Sequence, residues 1–424
     1  MRLKEKHPLA IRWFHWISFP LLFLMIWSGL LVYWSNDLYR VGWGSHTLVH
    51  FFLDWFYQQL NIPQRLAEGM ALHFFFMWLF VLNGVIYSIY LAVSGEWRNL
   101  LPDRRAFREA VLVTLHDLHL RKEPPPQGLY NGAQRIAYTG VIILAMGSVV
   151  TGFAIYKPAQ LSWLARILGG YPMARWEHFW LMCAFVGFFA IHIIQVLRAG
   201  WDNLRSMVAG SSIAEDGEEG MKSSRDGVNP ERSNQQANLK RYARSRTRRA
   251  FLALGLGAAA GYGGWAWLRS RPEEEGEPWP LRSVLRDNER VARSYFSDRH
   301  LSPSLLQSQV DPKTRENGDI GLGDDFRPEN WSLNVRGPGD SGPSRVTMAQ
   351  IRALPRVAQI TQLNCIEGWT VAVHWTGARF SDFTDKYARR SRGVRYVGMQ
   401  TPDEAYFVGL DAASAMHVVN HQKT

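Results

Sequence analysis

The sequence predicts two folds in one chain: an all-α membrane bundle of four helices with a fifth transmembrane anchor helix, then an α+β domain. Three observations predict this. Four runs, 13–32, 72–93, 136–155 and 179–197, contain no Lys, Arg, Asp or Glu. Each is near the roughly 20 apolar residues needed to cross a bilayer. A fifth run, 250–268, is also uncharged, although Gly and Ala dominate it. Beyond residue 270 the pattern changes to short alternating runs separated by Gly, Pro and Asp, the signature of strands and loops.

Composition narrows the class. The chain has 424 residues, of which 47% are hydrophobic, 13% aromatic and 20% charged. That apolar content excludes wholesale disorder. Two cysteines, Cys183 and Cys365, exclude a disulfide-stapled scaffold. Trp and Tyr cluster near the ends of the four runs, as in aromatic belts at the membrane surface. The resulting division is a four-helix membrane domain over 1–210, a polar and basic linker over 211–249, an anchor over 250–268 and a further domain over 270–424.

Orientation follows from the basic residues, because cytoplasmic connections collect Lys and Arg. The N-terminal arm carries Arg2, Lys4, Lys6 and Arg12, and the connection after the second run carries Arg98, Arg104, Arg105, Arg108, Arg121 and Lys122. The connection after the first run carries only Arg40 and Arg65. A heavy cluster, Lys240, Arg241, Arg244, Arg246, Arg248 and Arg249, precedes the fifth run. The N-terminus is therefore expected in the cytoplasm of a bacterial inner membrane, and residues 270–424 in the periplasm. This placement accounts for the net charge of +11 without nucleic-acid binding. Thr247-Arg248-Arg249-Ala250-Phe251-Leu252 resembles a twin-arginine export signal, with an ordinary positively flanked helix as the plainer reading.

Ionisable residues at membrane depth mark function. His15, His73 and His192 lie within the runs, and His178 stands at the start of the fourth. His178 and His192 are separated by about 21 Å of helix and about 40° of rotation, so both face one side. The alternating direction of the runs then matches His15 in depth with His192, and His73 with His178. Two neutral imidazoles facing each other across a bundle suit six-coordinate haem iron. Gly29, Gly84, Gly140, Gly147 and Gly187 leave room for a flat macrocycle, although Gly also serves helix packing. Zinc would want three or four ligands at one level, and a proton relay does not explain the matched depths. The pairs His46/His50 and His116/His119 read as surface histidines, the former in an amphipathic stretch, 45–60, expected to be an interfacial helix.

His15-Trp16, Tyr130-Asn131 with Gln134, and the His178/His192 spacing resemble the bacterial dihaem cytochrome b family, which includes membrane subunits of formate dehydrogenases and nickel–iron hydrogenases. The resemblance covers about 1–210. It implies two haem b groups held by His15, His73, His178 and His192, and electron exchange with a quinone or quinol pool in membrane lipid.

In the last domain, strands are expected at 331–335, 359–363, 370–375, 395–399 and 406–410, with a helix from Met348 capped by Thr347 and Gln350 and ending before Pro355. Cys365 follows a strand-like run. It reads as a buried thiol, as a nucleophile with His374 as base, or as a thiolate ligand to a soft metal. Cys365-Ile366-Glu367-Gly368-Trp369, followed by Trp375-Thr376-Gly377, resembles the sulfite-oxidase-type molybdopterin fold and the bacterial periplasmic methionine-sulfoxide reductases within it. The resemblance covers about 300–416. It implies a molybdopterin cofactor, Cys365 as the molybdenum ligand and catalytic centre, Asn317 touching the pterin, and a small oxo-transfer substrate with a periplasmic redox partner. Such proteins continue past the segment matching 406–416, so the domain is expected to be partial and to expose sheet edges.

The function expected is a membrane oxidoreductase whose two haems connect the quinone pool to a periplasmic molybdopterin centre. One rival is an electron-transfer module with an inactive appended domain; another is a membrane sensor or transporter with a periplasmic binding domain.

Overall fold

The computed structural model describes residues 2–5, 8–34, 41–43, 46–49, 54–61, 65–122, 130–214, 230–274, 276–296, 304–312, 327–337, 342, 344–365, 370–388, 394–401, 407–416 and 419–422. The chain divides into two compact units: Met1–Tyr156 with Leu168–Arg290, and Lys157–Ile167 with Val291–Thr424.

The first unit is built on α1 (Leu9–Trp34), α2 (Leu66–Ser94), α3 (Gly132–Tyr156) and α4 (Tyr171–Ala199). A fifth long helix, α5, runs over Pro230–Arg269, and α6 covers Trp279–Tyr295. Among the described residues five segments are long and apolar enough to cross a membrane: Leu9–Tyr33, Leu66–Ser94, Gly132–Tyr156, Tyr171–Ala199 and Arg241–Arg269. At most 17% of each apolar window is buried inside the protein. Leu82, Ile143 and Leu197 face outward, an arrangement that lipid tolerates and water does not.

Local chemistry sets the helix ends. Gly95 closes α2 in the left-handed region at φ 74°, its N–H donating to Leu91 O. Pro172 opens α4, where its missing N–H costs nothing. Asn131 and Gln134 cap α3 reciprocally: Gln134 N–H donates to Asn131 Oδ1 at 2.9 Å, and Asn131 N–H to Gln134 Oε1 at 3.0 Å.

The bundle is two copies of one helix pair. Setting Arg12 on Arg135 brings Ser28-Gly29 onto Thr151-Gly152 and Tyr33 onto Tyr156. In the second helix of each pair, His73-Phe74 falls on His178-Phe179, Met77 on Met182, Phe80-Val81 on Phe185-Val186, and Ile86 on Ile191. The contacts repeat as well. Tyr33 packs on Phe179 with ring centres 4.6 Å apart, and its counterpart Tyr156 packs on Phe74 at 4.9 Å. Arg12 and Trp16 donate to the carbonyls of Val208 and Met207 at the end of helix Trp201–Ala209. Arg135 and Thr139 donate to Leu101 and Leu100 at the end of helix Trp97–Leu100.

Several expectations are corrected. Residues 45–60 do not form one interfacial helix: among the described residues they hold the strand His46–Val49, paired with Val41–Trp43, and the short helix Asp54–Gln59. Thr47 and Val49 are β-branched and favour the extended state. His50 lies outside the described residues. The 211–249 stretch is not all linker. Ser211–Ala214 pairs antiparallel with Arg2–Glu5, and helix begins at Pro230 because Gln, Glu, Lys, Arg and Ala from there favour it. Residues 270–290 pack with the bundle rather than with the last domain. Leu281 is buried against Ala71 and Leu72, with Phe76, Leu268 and Leu285 around it. Trp78 Nε1–H donates to Asn288 Oδ1 at 2.6 Å, and Tyr156 Oη–H donates to Asn288 O at 3.1 Å.

A buried charge cluster secures the same junction. Glu68, only 3% exposed, accepts two hydrogen bonds from Arg65, at 2.7 and 2.9 Å, and lies 3.6 Å from Arg269 at the end of α5. Burial and the facing Glu68 charge push the Glu277 carboxyl above the usual carboxylate range.

The second unit holds a three-stranded antiparallel sheet. In order it runs β3 (Val419–Gln422), β2 (Thr370–Arg379) and β1 (Arg356–Asn364). Two hairpins, Ser332–Val335 with Ser344–Thr347 and Tyr396–Gln400 with Phe407–Asp411, complete its described strands. All five expected strands are present within a few residues of their expected ends. The helix Met348–Arg352 carries the Thr347/Gln350 capping box. Val346, Leu354, Ala378 and Phe383 form the core, joined by Leu333, Val335, Ile351, Phe380 and Tyr387. The 419–422 strand pairs with Thr376–Arg379, so the tail covers that edge of the sheet.

Glu68→Ala takes the carboxylate away from two guanidinium groups that are themselves partly exposed, Arg65 at 22% and Arg269 at 45%. It is expected to cost about 1.5–3 kcal/mol of unfolding free energy through the lost charged hydrogen bonds, measured by denaturation of the detergent-solubilised chain. Asp287→Ala, which breaks an exposed pair with Arg290, is expected to cost under about 1 kcal/mol.

Candidate functional site

The four bundle histidines meet two by two. His15 on α1 faces His192 on α4 with ring centres 6.0 Å apart, and His73 on α2 faces His178 on α4 at 6.2 Å. A metal bound to two imidazoles through bonds of about 2.0–2.1 Å needs ring centres about 6 Å apart. Both couples have that spacing. Among the described residues no group of three or more His, Cys, Asp and Glu gathers as a metal cluster. The donor set is therefore two-coordinate from the protein, which suits haem iron, whose macrocycle supplies the remaining ligands, and does not suit zinc.

Each couple is braced differently. Trp16 meets the His15 ring edge-on at 5.2 Å, and Phe188 stacks on His192 at 5.8 Å. His73 Nδ1 lies 3.0 Å from Ser28 Oγ, and His178 Nδ1 lies 2.9 Å from Thr151 Oγ1. A side chain at Gly29 would place its Cβ 3.4 Å from the His73 ring, and one at Gly152 would come within 3.5 Å of His178. A Cβ there would make ordinary contact with the ring, so only a larger side chain would crowd the imidazole. By contrast, nothing lies within 4 Å of a Cβ at Gly84, Gly140 or Gly187. Ser28 and Thr151 were missed in the sequence because a lone hydroxyl in an apolar helix carries no signal. The duplicated Ser/Thr-Gly step is the signal that would have found them.

Cys365 sits directly after β1, half-buried and free, against the Val371 and Val373 cluster on which Trp375 also packs. Trp375 Nε1–H donates to Thr361 Oγ1 at 3.0 Å, and Ala372 N–H donates to Asp311 Oδ2 at 2.6 Å, so the hairpin beside the thiol is pinned from two sides. His374 is no base for this thiol. Side chains alternate along β2, so His374 points away from the Val371, Val373 and Trp375 face that holds Cys365. It also lies roughly 13 Å along the strand from Thr370. A single free thiol at a strand end fits one-thiolate ligation of a soft metal. Asn317 and residues 366–369 lie outside the described residues.

Residues 6–210 match the family described as prokaryotic cytochrome b561, and residues 321–422 match the oxidoreductase molybdopterin binding domain. The chain joins a cytochrome b561-type domain to a molybdopterin-binding oxidoreductase domain. It is accordingly a membrane protein with haem b and molybdenum-cofactor domains. Over 191 residues it is 28% identical to an Azospira oryzae protein that carries the name of a protein-methionine-sulfoxide reductase subunit, YedZ1, covering 45% of this chain and 89% of that protein. A second Azospira oryzae protein of the same name is 34% identical over 71 residues, 17% of this chain and 26% of that protein. The protein-methionine-sulfoxide reductase catalytic subunit MsrP of Xanthomonas campestris pv. campestris is 27% identical over 103 residues, 20% of this chain and 31% of that protein. The chain thus spans less than a third of the length of the latter two. No solved structure matches it.

Gly152→Leu forces a branched side chain against the His178 ring. It is expected to lower the haem-to-protein ratio of the purified chain, read by pyridine haemochrome. Ile143→Leu, at an outward-facing position of the same helix, is expected to leave the ratio unchanged.

Proposed function

We propose that the chain is a membrane-bound oxidoreductase of the bacterial inner membrane in which two b-type haems relay electrons between the quinone pool and a periplasmic molybdopterin centre. His15 with His192 holds one haem and His73 with His178 the other. Cys365 holds the molybdenum, and Asn317 contacts the pterin. Bound haem supplies one-electron carriage and a molybdenum centre supplies oxo transfer. The chain's own residues fix spacing and burial: four imidazoles set the two iron positions, and the pinned hairpin sets the thiolate.

The observation that carries this reading is the meeting of four histidines as two couples, 6.0 and 6.2 Å between ring centres, in a chain that also matches a molybdopterin-binding domain. The specific substrate proposed is a sulfoxide of methionine, a reading supported by the names of the relatives. Its reduction takes up two electrons and two protons and yields a thioether and water. The basic connections support an orientation with the N-terminus in the cytoplasm and the His73–His178 couple at the periplasmic level. On that orientation the Arg248-Arg249 pair precedes the last crossing, as an export signal retained as an anchor would.

A reduced-minus-oxidised spectrum with metal analysis on one purified sample tests the proposal: b-type absorbance together with molybdenum is expected, and absent b-type absorbance overturns it. His178→Ala should remove about half the haem, and Cys365→Ser should abolish molybdenum-dependent turnover while leaving the haem spectrum intact. A reporter fused after Arg98 is expected to read cytoplasm, and one fused after residue 290 periplasm; the reverse pattern overturns the orientation.

A further inference from the structure

We infer that Ser28 and Thr151 are positioning residues that fix the tautomer of His73 and His178, presenting both Nε2 lone pairs to one iron. The inference rests on the haem reading above and adds to it the residues that orient the ligands.

Proton counting carries the argument. A hydroxyl has one proton to donate and two lone pairs. Ser28 Oγ lies 2.7 Å from Leu24 O, a carbonyl that can only accept, so its proton goes there. Thr151 Oγ1 lies 2.8 Å from Gly147 O in the same relation, four residues back on its own helix. Each oxygen is then left with lone pairs toward the imidazole, at 3.0 Å from His73 Nδ1 and 2.9 Å from His178 Nδ1. The contact is a hydrogen bond only if Nδ1 carries the proton. A neutral imidazole protonated at Nδ1 is bare at Nε2, which is the state a metal requires.

The arrangement occurs twice. Ser28-Gly29 and Thr151-Gly152 occupy equivalent positions in the two helix pairs, as do His73 and His178. In both copies the hydroxyl takes Nδ1 while the following glycine admits the ring within 3.4 to 3.5 Å of where a Cβ would stand. A chance hydroxyl beside one histidine would not recur with the same donor, acceptor and glycine in the other half. The second couple serves as an internal control. In the register of the repeat, His15 falls on Tyr138 and His192 on Tyr87, so its bracing is not duplicated.

Accepting a hydrogen bond from Nδ1–H makes the imidazole a stronger donor to iron and favours the oxidised metal. Ser28→Ala and Thr151→Val each remove one acceptor. In the full-length detergent-solubilised chain, each is expected to move one haem midpoint potential upward and to shift the low-spin EPR g values of that haem. The other haem should stay unchanged, and the haem that moves should be the one His178→Ala removes. Ser28→Thr and Thr151→Ser, which keep the hydroxyl, are expected to restore the original potential. Loss of that haem in Thr151→Val with retention in Thr151→Ser supports the inference equally. Unchanged potential and g values in both hydroxyl-free variants with haem fully loaded overturn it, as does a shift confined to the other haem. A chain that binds no haem defeats the functional reading instead, so the two failures are distinguishable.

Discussion

The bundle depends on one constraint: imidazoles from different helices must face each other at two levels of one bundle, with ring centres 6.0 and 6.2 Å apart. The helix ends are tied from outside those levels. Arg12 and Trp16 grip the carbonyls of helix Trp201–Ala209, while Arg135 and Thr139 grip those of helix Trp97–Leu100. At the other end, Glu68 joins Arg65 and Arg269.

Much of the fold was legible because membrane helices advertise themselves. Uncharged runs of spanning length fix where helices lie, and the structure extends each by a few residues where Gly95, Pro172 or the Asn131/Gln134 cap sets the end. What was not legible depends on tertiary context. The stretch after the anchor reads as the start of a new domain, because Arg282, Arg286, Asp287 and Arg290 give it a soluble face. Its other face, Leu281, Leu285 and Asn288, packs on the bundle. Amphipathic pattern shows that a face is buried but not against what. The 45–60 stretch failed for the opposite reason: a weak helical pattern yielded to β-branched residues.

The histidine couples were legible from topology, because alternating helix direction converts sequence position into depth. Their supports were not. Ser28 and Thr151 look like ordinary small polar residues until one helix pair is laid on the other. In the second unit the thiol of Cys365 was located by a motif, and β-strand alternation removes one of its readings, the nucleophile with His374 as base, by turning His374 to the opposite face. Asn131 with Gln134, part of the resemblance to a cytochrome family, is in structural terms a helix cap.

Two identical hairpins associating about a twofold axis would have to offer every residue in equal pairs. One such interface can build a single self-matching site on the axis, and the His73–His178 couple has that character, each member coming from an equivalent helix. It cannot build a site from unlike positions without making the mirror copy as well. Joining the two hairpins in one polypeptide removes that obligation. His15 and His192 come from non-equivalent helices, and tyrosines stand at the related positions Tyr138 and Tyr87. Covalent linkage thereby permits one end of the bundle to keep equivalent ligands while the other specialises.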